Sequence, residues 1–274
     1  DGTSPTVTAA SDVTINTNTD LCVSNYIVTN AVYSDNCEGS TLSWALTGAT
    51  TGSGTGQVGA KDYAVGTTTL IYTVTDASGN TATDTMSIVV QDKEKPSFTC
   101  PADVTVSMNG NASCEVAVPD LLTGITDEAD NCTTTVTMAQ SPLSTATQTD
   151  VADGGSFNVT ITATDSASNS SSCVVVVTVK DTTAPTVTAG MDVSEAVASG
   201  CSKSIDLSTA PTTDDNCGTP TLSWSMSGAT SGAGSGAVGT YSFNVGETTI
   251  TYTVTDNAGN TGTATQKVTI TDGT

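Results

Sequence analysis

The chain is 274 residues long, with 6 lysines, no arginine, no histidine and 28 acidic residues, giving a net charge of −22. Without histidine there is no histidine-based triad, no imidazole base and no imidazole metal ligand, and so few cations leave no basic footprint for nucleic acid or an anionic membrane. No apolar run reaches the roughly 20 residues needed to span a bilayer, and 57 threonines, with abundant Val, Ser and Gly, favour strands.

From the N-terminus, segments 12–16, 22–28 and 41–46 read as short strands. Trp44 suits a buried strand position facing an opposite sheet. The glycine-rich run 48–56 lacks the Lys and the helix of a phosphate loop and reads as an ordinary loop. Leu70, Tyr72 and Val74 then alternate with polar or smaller residues, Asp76-Ala-Ser-Gly-Asn80 turns the chain, and Met86, Ile88 and Val90 alternate on the return. Period-two alternation around a Gly/Asn turn predicts a hairpin.

The pattern then restarts. Asp-x-x-x-Pro occurs at Asp1, Asp92 and Asp181, in steps of 92 − 1 = 91 and 181 − 92 = 89 residues. Asp272-Gly-Thr repeats Asp1-Gly-Thr and reads as the opening of a fourth copy in a longer array. Two more markers recur: Asp-Asn-Cys at Asp35, Asp130 and Asp215, and Asp-x-x-(Gly/Ser)-Asn at Asp76, Asp165 and Asp256. The second hairpin carries Val159, Ile161, Ala163 and then Val175, Val177, Val179; the third carries Ile250, Tyr252, Val254 and then Val268, Ile270. About seven strands in roughly 90 residues predict an all-β chain of three tandem immunoglobulin-like β-sandwich domains in an extended array. Their bounds are 1–91, 92–180 and 181–271, with 272–274 starting a further repeat.

The eight cysteines divide as two, four and two. Registered on the Asp and Asn markers, Cys132 matches Cys37 and Cys217, while Cys114 matches Cys22 and Cys201. Cys100 falls where the other repeats have Ala9 and Ala189, and Cys173 where they have Asp84 and Ala264. Cys100 and Cys173 are absent together, as bonded partners would be. The comparison predicts Cys22–Cys37, Cys114–Cys132, Cys201–Cys217 and Cys100–Cys173. No pair has the two- to four-residue spacing of a zinc site, so the expectation is disulfides and an oxidising, extracellular or cell-surface location.

These markers resemble the HYR (hyalin repeat) family of immunoglobulin-like modules. The second repeat matches best, with Asp92-x-x-x-Pro96, Cys100-Pro101, Asp130-Asn131-Cys132, Asp165-x-x-x-Asn169 and Cys173; the first and third lack the Cys-Pro pair. The resemblance implies tandem, extracellular, non-catalytic modules of a large adhesin or filament protein.

Carboxylates are the only plentiful reactive groups. Asp127, Glu128 and Asp130 cluster, as do Asp214 and Asp215, but no aromatic platform accompanies them, and solvated loop acids are the simpler reading. Calcium, which takes six to eight oxygens, is the one cofactor expectation, with Asp76 and Asp165 at hairpin tips and Asp92 and Asp181 at linkers; ordinary turn chemistry is the alternative. The functional expectation is a stalk or filament segment whose partners are neighbouring repeats of the same chain or identical chains. The alternative is a module binding surface glycans or proteins through its loops, with Tyr33 and Tyr63 as its exposed aromatics.

Overall fold

The computed structural model describes residues 2–108 and 114–273 and contains no helix among them. Nine strands form the first repeat: β1 (Thr6–Thr8), β2 (Val13–Asn16), β3 (Val23–Ile27), β4 (Val32–Ser34), β5 (Thr41–Gly48), β6 (Gly52–Thr55), β7 (Ala60–Ala64), β8 (Gly66–Thr75) and β9 (Thr81–Gln91). A five-stranded sheet runs β2-β9-β8-β5-β6, with β2 parallel to β9. The pairs β1–β4 and β3–β7 make the second layer.

The alternation read from sequence becomes the core. Leu70, Tyr72, Val74, Met86, Ile88 and Val90 are buried together with Leu42 and Leu46 of β5 and Tyr63 of β7. The residues between them, on the other face, are Ile71, Thr73, Ser87 and Val89, only partly buried, so one register fixes both faces of each strand. Tyr63 is not the exposed aromatic expected above. It is fully buried, because β7 turns it inward against the five-stranded sheet, and burial pushes its phenol up to about 12. Tyr33 is 41% exposed.

The second repeat has β10 (Val104–Ser107), β11 (Val116–Ala117), β12 (Thr137–Ser141), β13 (Thr147–Gln148), β14 (Ser156–Thr164) and β15 (Ser170–Lys180). They form a sheet ordered β10-β15-β14-β12 and a pair β11–β13. The third repeat copies the first: β16 (Thr186–Thr188), β17 (Val193–Val197), β18 (Ser202–Leu207), β19 (Thr212–Asp214), β20 (Thr221–Gly228), β21 (Gly232–Ser235), β22 (Gly239–Asn244), β23 (Gly246–Thr255) and β24 (Thr261–Asp272). Its sheet order, β17-β24-β23-β20-β21, is that of the first repeat.

The chain packs as two compact units. One holds Asp1–Cys100, Gly124–Ala139 and Ile161–Cys173; the other holds Pro101–Thr123, Gln140–Thr160 and Val174–Thr274. The linker, Asp-Asn-Cys loop and hairpin tip of the second repeat therefore belong with the first repeat, and the rest of it belongs with the third.

The glycine-rich run is not simply a loop. Its residues 52–55 are β6, paired with β5 so that Gly54 lies opposite Trp44. The indole covers the glycine: a Cβ on Gly54 would lie 2.6 Å from Trp44 Cζ2, and one on Gly234 would lie 2.6 Å from Trp224 Cζ2. Glycine is there because the neighbouring ring occupies the space a side chain needs. Gly54→Ala should destabilise the first repeat by about 1–3 kcal/mol, the usual cost of overpacking. Denaturant unfolding followed by Trp44 fluorescence would show it; an unchanged midpoint would mean that the indole does not depend on this contact.

Candidate functional site

The position of each cysteine follows from strand direction. β2 runs parallel to β9 with Asn16 opposite Gln91, so Cys22, just beyond β2, lies at the end of the repeat where the chain leaves through Asp92. Cys37 precedes β5, whose Thr41 pairs with Thr75 beside the Asp76 hairpin tip, so it lies at the other end. The two ends are separated by the length of β9, about 33 Å at roughly 3.3 Å per residue. A disulfide needs Cα atoms within about 7 Å.

The expected Cys22–Cys37, Cys114–Cys132 and Cys201–Cys217 bonds are accordingly absent, and the structure corrects them. Cys22 is bonded to Cys132 and Cys114 to Cys217, each with Cα atoms 4.6 Å apart. Cys100 is bonded to Cys173 within the second repeat. Cys37 and Cys201 are exposed free thiols. Each cross-repeat bond joins the exit end of one repeat to the entry end of the next. The closed loops, with separations of 110 and 103 residues, are each worth about 4–5 kcal/mol in the chain-entropy model.

Beside each bond lie three carboxylates. Asp92, Asp130 and Asp165 each present an oxygen within 4.8 Å of the other two, and Asp181, Asp215 and Asp256 do the same. The linker supplies the first residue of each set, the Asp-Asn-Cys loop the second and the hairpin tip the third. Hairpin tip and linker thus meet as Asp165 with Asp92 and as Asp256 with Asp181. Asp76 is in no such group among the described residues; Asp1, which heads the first repeat's markers, lies outside them. Asp130, Asp215 and Asp256 were not among the metal candidates, although their signal was the recurrence of the markers that contain them.

Turn chemistry accounts for part of this arrangement. Asp165 accepts from the Asn169 backbone N–H and side-chain amide, both at 2.7 Å, and Asp256 accepts from the same groups of Asn260 at 2.8 and 2.9 Å. The same amides reach across to the linkers, Asn169 Nδ2 to the Asp92 carbonyl at 3.3 Å and Asn260 Nδ2 to the Asp181 carbonyl at 3.2 Å. Asp130 and Asp215 accept from the backbone N–H of the following cysteine, at 2.9 and 3.1 Å.

It does not account for the rest. Asp92 is only 5% exposed, and its Oδ2 has no hydrogen-bond partner. Neither do the buried Oδ1 atoms of Asp130, Asn131, Asp215 and Asn216. No ion pair among the described residues involves any of the six carboxylates. Burial raises the Asp92 carboxyl above the usual carboxylate range, with Asp130, Asp165 and Glu94 adding repulsion; burial, then Asp181 and Asp256, do the same to Asp215. Converging carboxylate and amide oxygens with unfilled lone pairs fit a hard cation such as calcium, which takes oxygen ligands.

The asparagines of the second and third Asp-Asn-Cys loops tie the repeats together. Asn131 Nδ2 donates to the Leu21 carbonyl at 2.9 Å. Asn216 Nδ2 donates to Asp181 Oδ1 at 3.1 Å, and the Asn216 carbonyl accepts from Cys114 N–H at 3.1 Å. Cys217 packs on a small core of Met108, Val116 and Val179.

Residues 180–270 match the family model described as the HYR domain. The third repeat is an HYR domain. Over 209 residues the chain is 32% identical to hyalin of Strongylocentrotus purpuratus, a match covering 74% of this chain and 16% of hyalin. Over 216 residues it is 34% identical to the serine-rich adhesin for platelets of Staphylococcus aureus (strain MRSA252), covering 73% of this chain and 16% of the adhesin. The chain thus spans about a sixth of the length of these relatives. Among solved structures, mouse cadherin-23 EC22-24 aligns over 98% of this chain and 99% of its own at 14% identity and TM-score 0.36, and the titin I-band fragment I67-I69 over 97% and 98% at 10% and 0.36. The sandwich architecture of the chain rests on its own sheets.

The raised Asp92 carboxyl has a direct consequence. A carboxyl whose folded pKa lies above its unfolded value favours the folded state at low pH, and that contribution is lost as pH rises through the folded pKa. Asp92→Asn should therefore raise the melting temperature of the metal-free protein at neutral pH, and the difference should vanish on acidification below the carboxylate range. Thermal melts of both proteins in chelator across pH would read it; a variant less stable at neutral pH would contradict the assignment of net repulsion.

Proposed function

We propose that this chain is a load-bearing segment of a long extracellular, cell-surface adhesion protein, built of three sandwich modules in series and non-catalytic. The observation that carries the reading is the overlap of the two cross-repeat disulfides. Because Cys114 lies inside the 22–132 loop, a pull on the chain ends passes from residue 22 to 132, back to 114, and across to 217. Most residues of the sandwiches lie off that covalent path. A hyalin and an adhesin among the relatives support an adhesive surface protein, and disulfides support an oxidising compartment. No helix among the described residues is long and apolar enough to cross a membrane. The alternative of loop-borne glycan or protein recognition loses Tyr63, which is buried, and keeps only Tyr33.

The carboxylate clusters supply the second part of the proposal. Asp92, Asp130 and Asp165, and likewise Asp181, Asp215 and Asp256, hold one calcium ion each beside a cross-repeat disulfide. The ion would relieve the repulsion among three acids and fix the linker, the Asp-Asn-Cys loop and the hairpin tip of one repeat to each other.

Two measurements test these statements. In single-molecule pulling, the oxidised chain should extend to about 340 Å and the reduced chain to about 950 Å, at roughly 3.5 Å per extended residue. Equal extensions would end the load-path reading. In thermal melts, calcium at a hundredfold over its dissociation constant should add about 2.7 kcal/mol per site, chelator should reverse the gain, and Asp92→Asn with Asp181→Asn should abolish it. An absence of any shift in the parent protein would end the calcium reading.

A further inference from the structure

The two free thiols are one of each kind. Cys201 occupies the place of Cys22 and Cys114: each follows a strand (β17, β2, β10) that runs parallel to the last strand of its repeat (β24, β9, β15). In both resolved junctions the cysteine at this place is bonded forward, to the Asp-Asn-Cys cysteine of the repeat that follows. Cys37 occupies the place of Cys132 and Cys217, which are bonded backward. We propose that Cys201 and Cys37 are junction cysteines like the four already bonded across repeats: Cys201 takes the Asp-Asn-Cys cysteine of a repeat that follows and Cys37 the forward cysteine of a repeat that precedes, in the same polypeptide or in another copy, and a second copy of this chain serves as the probe.

Three observations support this partner. The Cys37 loop is already shaped as the bonded loops are: Cys37 N–H donates to Asp35 Oδ2 at 3.4 Å, as Cys132 N–H does to Asp130 at 2.9 Å and Cys217 N–H to Asp215 at 3.1 Å. Asp35 Oδ1 is buried without a partner, matching Asp130 Oδ1 and Asp215 Oδ1. Asn131 ties its loop to the preceding repeat through the Leu21 carbonyl; the hydrogen bond found for Asn36 Nδ2 is to its own neighbour, Cys37 Sγ, at 3.5 Å. The first repeat therefore presents the same docking loop that the second and third have already seated, and the third presents an exposed thiol at the seat. A second copy continues an interface the chain uses twice internally.

The chemistry is oxidation by a disulfide of low molecular weight, here glutathione disulfide. The Cys201 thiolate attacks it, forming a mixed disulfide and releasing one glutathione thiolate. The Cys37 thiolate of the second copy then attacks the Cys201 sulfur and expels the other glutathione. In balance, two protein thiols lose two electrons and two protons, and glutathione disulfide becomes two glutathione molecules.

Incubation of the folded chain with glutathione disulfide, followed by non-reducing electrophoresis and peptide mass spectrometry, tests this. The expected result is a ladder of covalent multimers containing a Cys37–Cys201 peptide. Cys37→Ser alone and Cys201→Ser alone should give no multimer, while an equimolar mixture of the two should give a dimer and nothing larger. Asn36→Ala should slow ladder formation with little change in melting temperature, because within its own repeat the exposed side chain makes only a long contact to Cys37 Sγ, at 3.5 Å. Dimers of either single variant alone, a Cys37–Cys37 or Cys201–Cys201 peptide, or a parent chain that stays monomeric with Cys22–Cys132 and Cys114–Cys217 intact would each overturn the proposal. None of these outcomes depends on calcium or on load.

Discussion

Burying the linker carboxylate is the constraint around which each junction is arranged. Asp92 and Asp181 stand where one repeat's last strand ends and the next repeat begins, and they are 5% and 4% exposed. A carboxylate out of water is expensive unless partnered. Here it is set against two further carboxylates instead of a lysine, and the backbone N–H groups at the turns satisfy only part of the set. An arrangement of this kind persists only if something else holds the loops together. The disulfide two residues from Asp130, and its counterpart two residues from Asp215, does so covalently at the point where repulsion would open the junction.

The same arrangement explains why the two compact units cut across the second repeat. Its linker, Asp-Asn-Cys loop and hairpin tip converge on the first triad and on Cys22, so they pack with the first repeat. Residues such as Met108 and Val116 pack instead beneath Cys217 of the third. The second repeat also carries the extra bond Cys100–Cys173. At the corresponding place in the first repeat, Asp84 accepts the Ala9 N–H at 2.8 Å, a hydrogen bond doing locally what the disulfide does in the second.

The strands were legible because period-two alternation reports a local fact: which face a side chain is on. Leu70 to Val74 and Met86 to Val90 needed no knowledge of partners. The burial of Tyr63 was less legible, since β7 is short and its neighbours Lys61, Asp62 and Ala64 give little contrast. The disulfide partners were illegible for a different reason. Aligning repeats shows which cysteines are equivalent, but Cys22–Cys37 and Cys22–Cys132 differ by a shift of one repeat, and a periodic sequence looks the same after such a shift. Only the direction of β2 against β9, and the length of β9, place Cys22 at one end and Cys37 at the other. Cys100–Cys173 escaped this ambiguity because the second repeat alone carries it. The triads were half legible: the hairpin and linker aspartates stood out, but Asp130 and Asp215 read as solvated loop acids until the fold brought them to Asp92 and Asp181.

Composition limits how the buried acids can be neutralised. Six lysines cannot balance 28 carboxylates, and the two ion pairs found among the described residues, Lys203–Glu195 and Lys267–Glu247, are exposed and away from the junctions. Surface pairs of that kind contribute at most about 1 kcal/mol each. With no histidine and no arginine the other four lysines are the remaining side-chain cations, and no ion pair among the described residues joins one of them to a triad. The triads are then left with protonation or a cation from solution. Protonating one acid relieves part of the charge and supplies a single O–H donor, fewer than the unpartnered oxygens Asp92 Oδ2, Asp130 Oδ1 and Asn131 Oδ1 call for, whereas a multivalent cation would accept several oxygens at once. Under the proposed calcium reading, a junction that takes its positive charge from solution becomes firmer where calcium is plentiful.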